Sequence, residues 1–536
     1  MNRSARVGSG SALPSATASS VPIVDRAESG VGGAVHASGL EGVLSPIVPS
    51  VPHLSKSRYL IGLQCAKRLW WTVKEPDAPE LAVGTNTVAL DRGRQLGELA
   101  RAHVPGGVLI DMPPWEIDSR VAATARALSD GASVIYEASF RAGGGFASVD
   151  ILERKGRGFV LTEAKSTLGV KAEHLPDVAL QWHVLSAAGL DVKQVEVMHL
   201  NRECRHPDLS NLFVRERVTA DVLPLLTEVP AKLAELHQAL AGPLPEVEAG
   251  PHCDDPYPCP FRRRCWPEQL DHHVSTIYRI RAKKVAKLVG EGVETIHDLP
   301  DDYKATPTVR RQLQSVRAGR VVVDRDLGKA LAKIKEPIGF LDFETVTPAV
   351  PAWRGCGPYS QVPVQLSCHV LEGGALQHHE WLADGPGDPR EPFAEALIAA
   401  CERAETIVAY NASFEVQRID ALIERLPELA QTLKKIRKRI IDLLPIVRDH
   451  VYHPAFNGSF SLKSVLPALV PGLGYQDLDV KDGGTASALL EALLLGRDTV
   501  PAAERPEVRR RLLAYCERDT LAMVRLYERL LVLARS

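Results

Sequence analysis

The chain has 536 residues, of which 45% are hydrophobic and 24% charged, with nine cysteines and a formal net charge of −2 at pH 7. This length is too great for one hydrophobic core and predicts about three to four domains of ordinary globular composition. No apolar run approaches the ~18–20 residues that span a bilayer, and so few cysteines in so long a chain do not indicate a disulfide scaffold, so we expect a cytoplasmic protein.

The first segment, residues 1–53, is rich in Gly, Ser, Ala and Val and has almost no aromatic residues. A segment of this kind has too little apolar surface to fold, so we predict a disordered tail. It also lacks a compact basic region followed by a sustained apolar stretch, which argues against a signal peptide.

The folded part begins with a helical pattern that Ser55 can cap, and Cys65 lies within it. Three further cysteines, Cys253, Cys259 and Cys265, lie in a Pro- and Arg-rich loop with five residues between neighbours. A tetrahedral metal or a cuboidal 4Fe–4S cluster needs four ligands, and Cys65 is the candidate for the fourth. Zinc and a set of unrelated thiols are the alternatives.

Between the cysteines, one strand pattern carries Asp150, and a second, after a glycine-containing turn, carries Glu163 and Lys165. A hairpin would bring Asp150 and Glu163 together at the end of the sheet, and Glu163 and Lys165 would face the same side. Metal-dependent phosphodiester cleavage needs two acids that bind a metal and a lysine that stabilises charge or helps to activate water. Acids and bases alternate on many exposed strands, but Gln181 on the next helix and Glu98 upstream strengthen the pattern.

Residues 268–333 are helical and charged, which predicts a connector between two larger domains. Within it, residues 280–288 and 295–299 flank a glycine turn at 290–293 and resemble a helix-hairpin-helix. Such a turn can present backbone N–H groups to phosphates. A plain helical connector is the alternative.

The apolar run that begins at Ile338 ends in Asp342-Phe343-Glu344. Side chains alternate along a strand, so Asp342 and Glu344 share one face. Like charges held this close raise each other's pKa unless a cation lies between them, and a divalent metal is the usual cation. Taken alone, the pattern also fits a strand whose exposed end carries two solvated acids.

Two later stretches favour the metal site. Glu415 follows an apolar, strand-like run at residues 407–410 and precedes a helical pattern, so it lies where a strand gives way to a helix. Tyr515 and Asp519 are four residues apart in the helical pattern 512–534 and share a helix face. Asp442 is an alternative to Glu415.

This order of motifs resembles the DEDD superfamily of exonucleases with a ribonuclease-H-like fold, in the subgroup with tyrosine in the third motif. The resemblance implies that four carboxylates hold two metal ions, here Mg²⁺ or Mn²⁺, and that nucleotides are removed from a 3′ end. It assigns Tyr515 the role of orienting the attacking water. The ligands that it implies are Asp342, Glu344, Glu415 and Asp519. The family's second motif ends in Asp, and the longer acid Glu415 would change the metal geometry.

The segment 54–267 resembles the RecB-like PD-(D/E)XK nucleases with an iron–sulfur cluster, as in CRISPR-associated adaptation nucleases and AddB-type helicase-nuclease subunits. In these proteins one cysteine precedes the nuclease motifs and three follow them, which is the arrangement of the four cysteines above. The residues that match the nuclease motifs are Asp150, Glu163, Lys165 and Gln181. Where the family usually offers a histidine this chain has Gly97-Glu98, and Glu137 is a further candidate acid.

The whole chain looks like an uncharacterised bacterial domain-of-unknown-function family. We predict an α/β protein with a disordered tail (1–53), a RecB-like, restriction-endonuclease-like domain with a four-cysteine cluster (54–267), a helical connector (268–333) and a ribonuclease-H-like DEDD domain (334–536). The expected function is metal-dependent hydrolysis of DNA, with RNA as the alternative substrate. The alternative functions are a nucleic-acid-binding repair or defence scaffold with one or both nuclease sites inactive, and an adaptor whose iron–sulfur module only docks partners.

Overall fold

The computed structural model describes residues 53–82, 87–266, 270–496 and 499–535. The predicted disordered tail lies outside the described residues apart from His53. From His53 onward the described chain is a mixed α/β structure that packs as one compact unit. No described helix has the length and apolar character needed to cross a membrane.

The N-terminal region, residues 53–266, is a mixed sheet covered by helices. Its strands are β1 (Leu54–Ser55), β2 (Val108–Leu109), β3 (Val134–Ala142), β4 (Gly145–Lys155), β5 (Gly158–Lys165), β6 (Val192–Leu200) and β7 (Phe213–Arg217). Its helices are α1 (Lys56–Gln64), α2 (Ala66–Lys74), α3 (Pro79–Ala82), α4 (Thr87–His103), α5 (Ile117–Ser129), α6 (His174–Ala187), α7 (Thr219–Ala241) and α8 (Arg262–Cys265). The strand order is β2-β3-β4-β5-β6-β7, and β1 lies parallel to β4. Ser55 caps α1 as predicted, by accepting a hydrogen bond from the backbone N–H of Arg58.

Two glycine turns set the register of β3, β4 and β5. Gly143 and Gly144, with φ of 58° and 82°, join β3 to β4, and Gly156, with φ of 60°, follows β4. Glycine suits these positions because positive φ is disfavoured for residues that carry a Cβ, and two-residue hairpin turns need it. In the registers that follow from these turns, one row across the three strands contains Glu137, Asp150 and Glu163.

The connector contains α9 (Ala282–Gly290), α10 (Pro307–Ala318), β8 (Val322–Val323) and α11 (Leu327–Leu331). It differs from the predicted helix-hairpin-helix, because the second element after the glycine turn is only a three-residue 3-10 helix, Ile296–Asp298. A capping box between Thr295 and Asp298 closes this short turn. Pro300 follows, and the residue before a proline is biased away from helical backbone, so the helix ends there.

The C-terminal region is a five-stranded sheet with helices on both faces. Its strands are β9 (Ile338–Val346), β10 (Val362–Glu372), β11 (Ala375–Leu382), β12 (Thr406–Ala409) and β13 (Ile440–Asp442), while β14 (Val451–Tyr452) pairs with β8. Its helices are α12 (Arg390–Cys401), α13 (Ser413–Arg425), α14 (Ala430–Lys438), α15 (Leu443–His450), α16 (Leu462–Leu469), α17 (Gly483–Leu494) and α18 (Arg505–Leu533). The strand order is β11-β10-β9-β12-β13, and β10 alone runs antiparallel to its neighbours. The central strand is therefore β9.

The segment between β9 and β10 joins the two large regions. The backbone N–H of His206 donates a hydrogen bond to the carbonyl of Cys356 (3.0 Å). The hydroxyl of Tyr359 donates to the carbonyl of Ser166. This contact lies one residue after Lys165, so the C-terminal region touches the N-terminal sheet at the end of β5.

Candidate active sites

Three carboxylates meet on one face of the central C-terminal strand. Asp342 and Glu344 lie on β9, two and four residues after Phe340 and on the same face. Phe340 packs against Tyr527 of α18, with ring centroids 5.7 Å apart. The face therefore looks towards α18, which carries Asp519. The ligand oxygens of Asp342, Glu344 and Asp519 lie within 4.8 Å of one another.

Glu415 is the fourth predicted acid, and it faces the same cluster. It lies in the first turn of α13, close after the end of β12, and is 3% exposed. Its charge acts on both Asp342 and Glu344. Its Oε2 atom has no hydrogen-bond partner among the described residues. A buried polar atom without a partner is costly, and a bound cation would supply the missing interaction.

Asp442, the alternative to Glu415, already has local partners. One of its oxygens accepts hydrogen bonds from the backbone N–H groups of Asn411 (2.9 Å) and Leu444 (3.0 Å). The second of these bonds caps α15. Asp442 therefore has a structural use that Glu415 lacks.

Burial is the main cause that raises the pKa of every acid in this cluster. It raises the pKa of Glu344 to about 8, that of Glu415 to about 7 and that of Asp519 to about 6. Burial, followed by the charge of Asp519, raises the pKa of Asp342 well above its usual range. Such poorly compensated charge fits a divalent cation, and a set of carboxylate oxygens suits Mg²⁺ or Mn²⁺.

Two tyrosines and a lysine border these acids. The hydroxyl of Tyr515 lies 3.3 Å from Nζ of Lys463, and this ammonium lies 5.1 Å from the ring centroid of Tyr475. The hydroxyl of Tyr475 donates a hydrogen bond to Asp519. Sequence reasoning does not find Tyr475, because it lies outside the helices and strands and has no periodic relation to Asp519.

The N-terminal candidate site lies at the ends of β4 and β5. Asp150 accepts a hydrogen bond from the backbone N–H of Ala164 (2.7 Å). The Oε1 atom of Glu163 accepts from Lys165 (2.8 Å), and its Oε2 accepts from the amide of Gln181 (2.8 Å). The structure thus brings together Asp150, Glu163, Lys165 and Gln181.

Lys56 and Asp177 belong to this cluster, although sequence reasoning does not find them. Asp177 accepts hydrogen bonds from Lys165 (2.5 Å) and Gln181 (3.0 Å). Because Asp177 and Gln181 are four residues apart on α6, their spacing was a usable signal. Lys56 donates to Glu163 (2.6 Å) from the first turn of α1, and nothing in its local sequence marks it.

The two lysines control the charge of the acids. Burial would raise the pKa of Glu163, but the ammonium groups of Lys56 and Lys165 outweigh it and hold that pKa well below its usual range. Burial and then the charge of Glu163 raise the pKa of Asp150 to about 7. A metal ion at this pair would therefore displace a proton from Asp150.

Of the two additional candidate acids, Glu137 lies near the cluster and Glu98 does not contact it. The charge of Glu137 acts on Asp150, and its φ of 58° is unusual for a non-glycine residue in a strand. Such strained backbone is often found at functional sites. Glu98 is an exposed side chain of α4, and no hydrogen bond or ion pair in the described part of the chain joins it to the cluster.

The four predicted cysteine ligands line one pocket, and all four are free thiols. Cys65 lies between α1 and α2, while the other three lie at and around α8. The amide of Gln64 holds the two segments together by donating hydrogen bonds to the carbonyls of His252 (2.8 Å) and Tyr257 (2.7 Å). Burial raises the pKa of the Cys259 and Cys265 thiols, and a bound metal would favour their thiolates.

Comparison with known proteins gives two similarities. A family described as "Domain of unknown function (DUF2779)" matches residues 339–461. The chain is also 25% identical over 215 residues to a protein of Ureaplasma parvum serovar 3 described as "Uncharacterized protein UU173", covering 36% of this chain and 31% of that protein. The chain thus spans less than a third of the length of this relative. The family match includes Asp342, Glu344 and Glu415 and ends before Tyr515 and Asp519. Over residues 339–461 the chain is similar to a domain-of-unknown-function family, as its sequence predicts.

Proposed function

We propose that the C-terminal region is a metal-dependent 3′-5′ exonuclease of the DEDD type, with a ribonuclease-H-like fold. The observation that carries this proposal is the convergence of three half-buried carboxylates, with the buried Glu415 beside them carrying an oxygen without a partner. The five-stranded sheet, with its acid pair on the central strand and a single antiparallel member, supports the fold assignment.

Mg²⁺ or Mn²⁺ held by Asp342, Glu344, Glu415 and Asp519 would neutralise phosphate charge and lower the pKa of water. The hydroxyl of Tyr515, which lies 3.3 Å from Nζ of Lys463, would orient the attacking water. The ammonium of Lys463 would attract the negative phosphate. DNA is the proposed substrate, with RNA as the second polymer to be assayed.

The direct test of nuclease function is turnover of end-labelled DNA and RNA strands with Mg²⁺ or Mn²⁺. Labelling the 5′ end gives a ladder that shortens from the 3′ end if the proposed polarity is right. Products that shorten from the 5′ end would contradict the polarity. Binding without turnover, under either metal, would contradict the enzymatic proposal.

Tyr515→Phe should lower the exonuclease rate on the order of 10²-fold, because it keeps every carboxylate and removes only the hydroxyl that orients water. The measurement is the initial rate on 5′-labelled single-stranded DNA at saturating Mg²⁺. Tyr257→Phe, an exposed tyrosine of the N-terminal region, is the matched control and should leave the rate unchanged. An unchanged rate in Tyr515→Phe would remove this residue from the mechanism.

We further propose that the N-terminal region is a RecB-like PD-(D/E)XK nuclease with an iron–sulfur module. Support comes from Asp150, Glu163 and Lys165, which meet at the ends of two paired strands. The four cysteines that line one pocket would supply the four ligands that a 4Fe–4S cluster needs, and zinc is the alternative.

Protein purified without oxygen should be brown and should contain iron and acid-labile sulfide. Cys253→Ser removes one of the four thiolates and should lose most of both, which elemental analysis and a sulfide assay would measure. Cys204→Ser, a buried cysteine of the same region that does not line the pocket, should keep its iron. Colourless wild-type protein with one equivalent of zinc would overturn the cluster assignment.

One observation favours a second function, a nucleic-acid-binding scaffold with an inactive N-terminal site. The ammonium of Lys56 lies against Glu163, and its charge also acts on Asp150, where a metal would bind. A lysine in that place competes with a divalent ion. Metal-dependent cleavage that persists after the C-terminal site is disabled would exclude this function.

A further inference from the structure

A second group of metal-ligating side chains lies in the C-terminal region, outside the acidic cluster. His369 on β10 and His378 on β11 are directly opposite each other in the hairpin that turns at Gly373 and Gly374. Glu517 of α18 approaches both rings. One ligand atom from each of these three residues lies within 4.8 Å of the other two.

Two buried hydroxyl groups contact one nitrogen of each imidazole ring. The hydroxyl oxygen of Thr520 lies 2.8 Å from His369 Nδ1, 2.7 Å from the hydroxyl of Ser367 and 3.0 Å from the carbonyl of Glu517. The hydroxyl oxygen of Ser367 lies 2.9 Å from His378 Nε2. These contacts leave His369 Nε2 and His378 Nδ1 as the nitrogens available to a metal ion.

The separation of His378 from Glu517 is longer than a hydrogen bond and close to that of two ligands of one ion. His378 Nδ1 lies 3.8 Å from Glu517 Oε1, which is too far for a hydrogen bond. Nitrogen and oxygen ligands about 2.0–2.2 Å from a zinc ion lie about 3.3–3.6 Å apart. The side chains of His378 and Glu517 are 22% and 47% exposed, which leaves them room for this small contraction.

We propose that His369, His378 and Glu517 form a binding site for a divalent transition-metal ion such as Zn²⁺, separate from the acidic cluster. Two imidazoles and one carboxylate are ligands that zinc favours. The hydroxyls of Ser367 and Thr520 orient the rings, as hydrogen bonds to metal-binding histidines commonly do. Three protein ligands leave one coordination position for water.

A bound ion would tie the outer hairpin to the last long helix. Glu517 lies between Tyr515 and Asp519 on α18, and Ser367 pairs with Asp342 across β10 and β9. The ion would therefore hold Asp519 in place relative to Asp342. The effect of this restraint on catalysis rests on the proposed nuclease function. The binding of zinc itself does not depend on that function.

The test is the zinc content of the full-length protein and three variants, His378→Ala, Glu517→Gln and His379→Ala. Each is purified without oxygen and dialysed against low Zn²⁺ with excess Mg²⁺, and zinc and iron are counted by elemental analysis. We expect wild type and His379→Ala to hold one more equivalent of zinc than the other two. His379 is the matched control, because it is an exposed neighbour on β11 whose side chain points to the opposite face.

Equal zinc in all four proteins would overturn the proposal. A loss in Glu517→Gln alone would also overturn it, because the ion would then belong to the neighbouring acidic cluster. As a second readout, added Zn²⁺ should raise the melting temperature of wild type more than that of His378→Ala, because a ligand that binds the folded state stabilises it. Neither readout involves nucleic-acid cleavage, so failure of the nuclease proposal and failure of this site are distinguishable.

Discussion

Replacing Asp342 by asparagine should lower the exonuclease rate by about three orders of magnitude or more. Asparagine keeps the size of the side chain and removes one of the negative charges that would bind the metal, so stabilisation of the transition state is lost while the fold is kept. The measurement is the initial rate on 5′-labelled single-stranded DNA over a range of Mg²⁺ concentrations. Full activity in Asp342→Asn would mean that the site is not where we place it.

The same substitution should raise, not lower, the melting temperature in the absence of divalent metal. The pKa of Asp342 is raised in the folded protein, so its ionised form is less stable there than in the unfolded chain, and this cost is present at pH values above the usual carboxyl range. Asparagine carries no charge and removes the cost. Asp384→Asn, whose side chain is 96% exposed, is the matched control and should change neither the rate nor the melting temperature.

Lys165→Ala and Asp342→Ala should each abolish one activity and leave the other near wild type, and only the double variant should lose all metal-dependent cleavage. Neither set of groups needs a member from the other region: Asp150, Glu163 and Lys165 meet at one sheet, while Asp342 and its partners meet at another. Product length on labelled strands separates the two activities. Lys193→Ala, an exposed lysine of the N-terminal region, is the control for the lysine substitution.

The contact between Tyr359 and Ser166 brings the two regions together near one of the two sites, so independence of the sites is a demanding prediction. It places the two regions side by side next to Lys165, but it joins a hydroxyl to a backbone carbonyl and involves none of the acids of either cluster. If all cleavage disappeared in either single variant, with an unchanged circular dichroism spectrum, the two sites would form one composite centre or one of them would be inert.

The parts of the candidate sites that could be predicted from sequence are those set by local periodicity. Asp342 and Glu344 share a face because strand side chains alternate, and Tyr515 and Asp519 share one because a helix repeats after about four residues. The relative direction of two side chains within one strand or helix does not depend on how that element packs against the rest of the chain. Glu163 and Lys165 lie two residues apart on β5 and contact each other for the same reason.

The parts that could not be predicted depend on contacts between distant segments. Lys56 reaches Glu163 only because β1 pairs with β4 and carries the start of α1 to the end of the sheet. Tyr475 reaches Asp519 from a segment without regular structure. Glu98 has the right residue type and a plausible position in the chain, but on α4 its side chain points into solvent. No pattern within a short stretch of sequence indicates which distant residues will contact one another.

The order of synthesis matters for a region whose first and last segments pack together. Trp70 of α2 donates its indole hydrogen to the carbonyl of Gly242, and Trp71 packs on Phe261, with ring centroids 5.3 Å apart. On the ribosome, about 200 residues separate Cys65 from Cys265, and at roughly 5–20 residues per second their emergence differs by roughly 10–40 s. During this interval Trp71 has no Phe261 to pack on, and Cys65 lacks the three later cysteines with which it lines a pocket. A chaperone or an early oxidant therefore meets this part of the protein before its own C-terminal partner does.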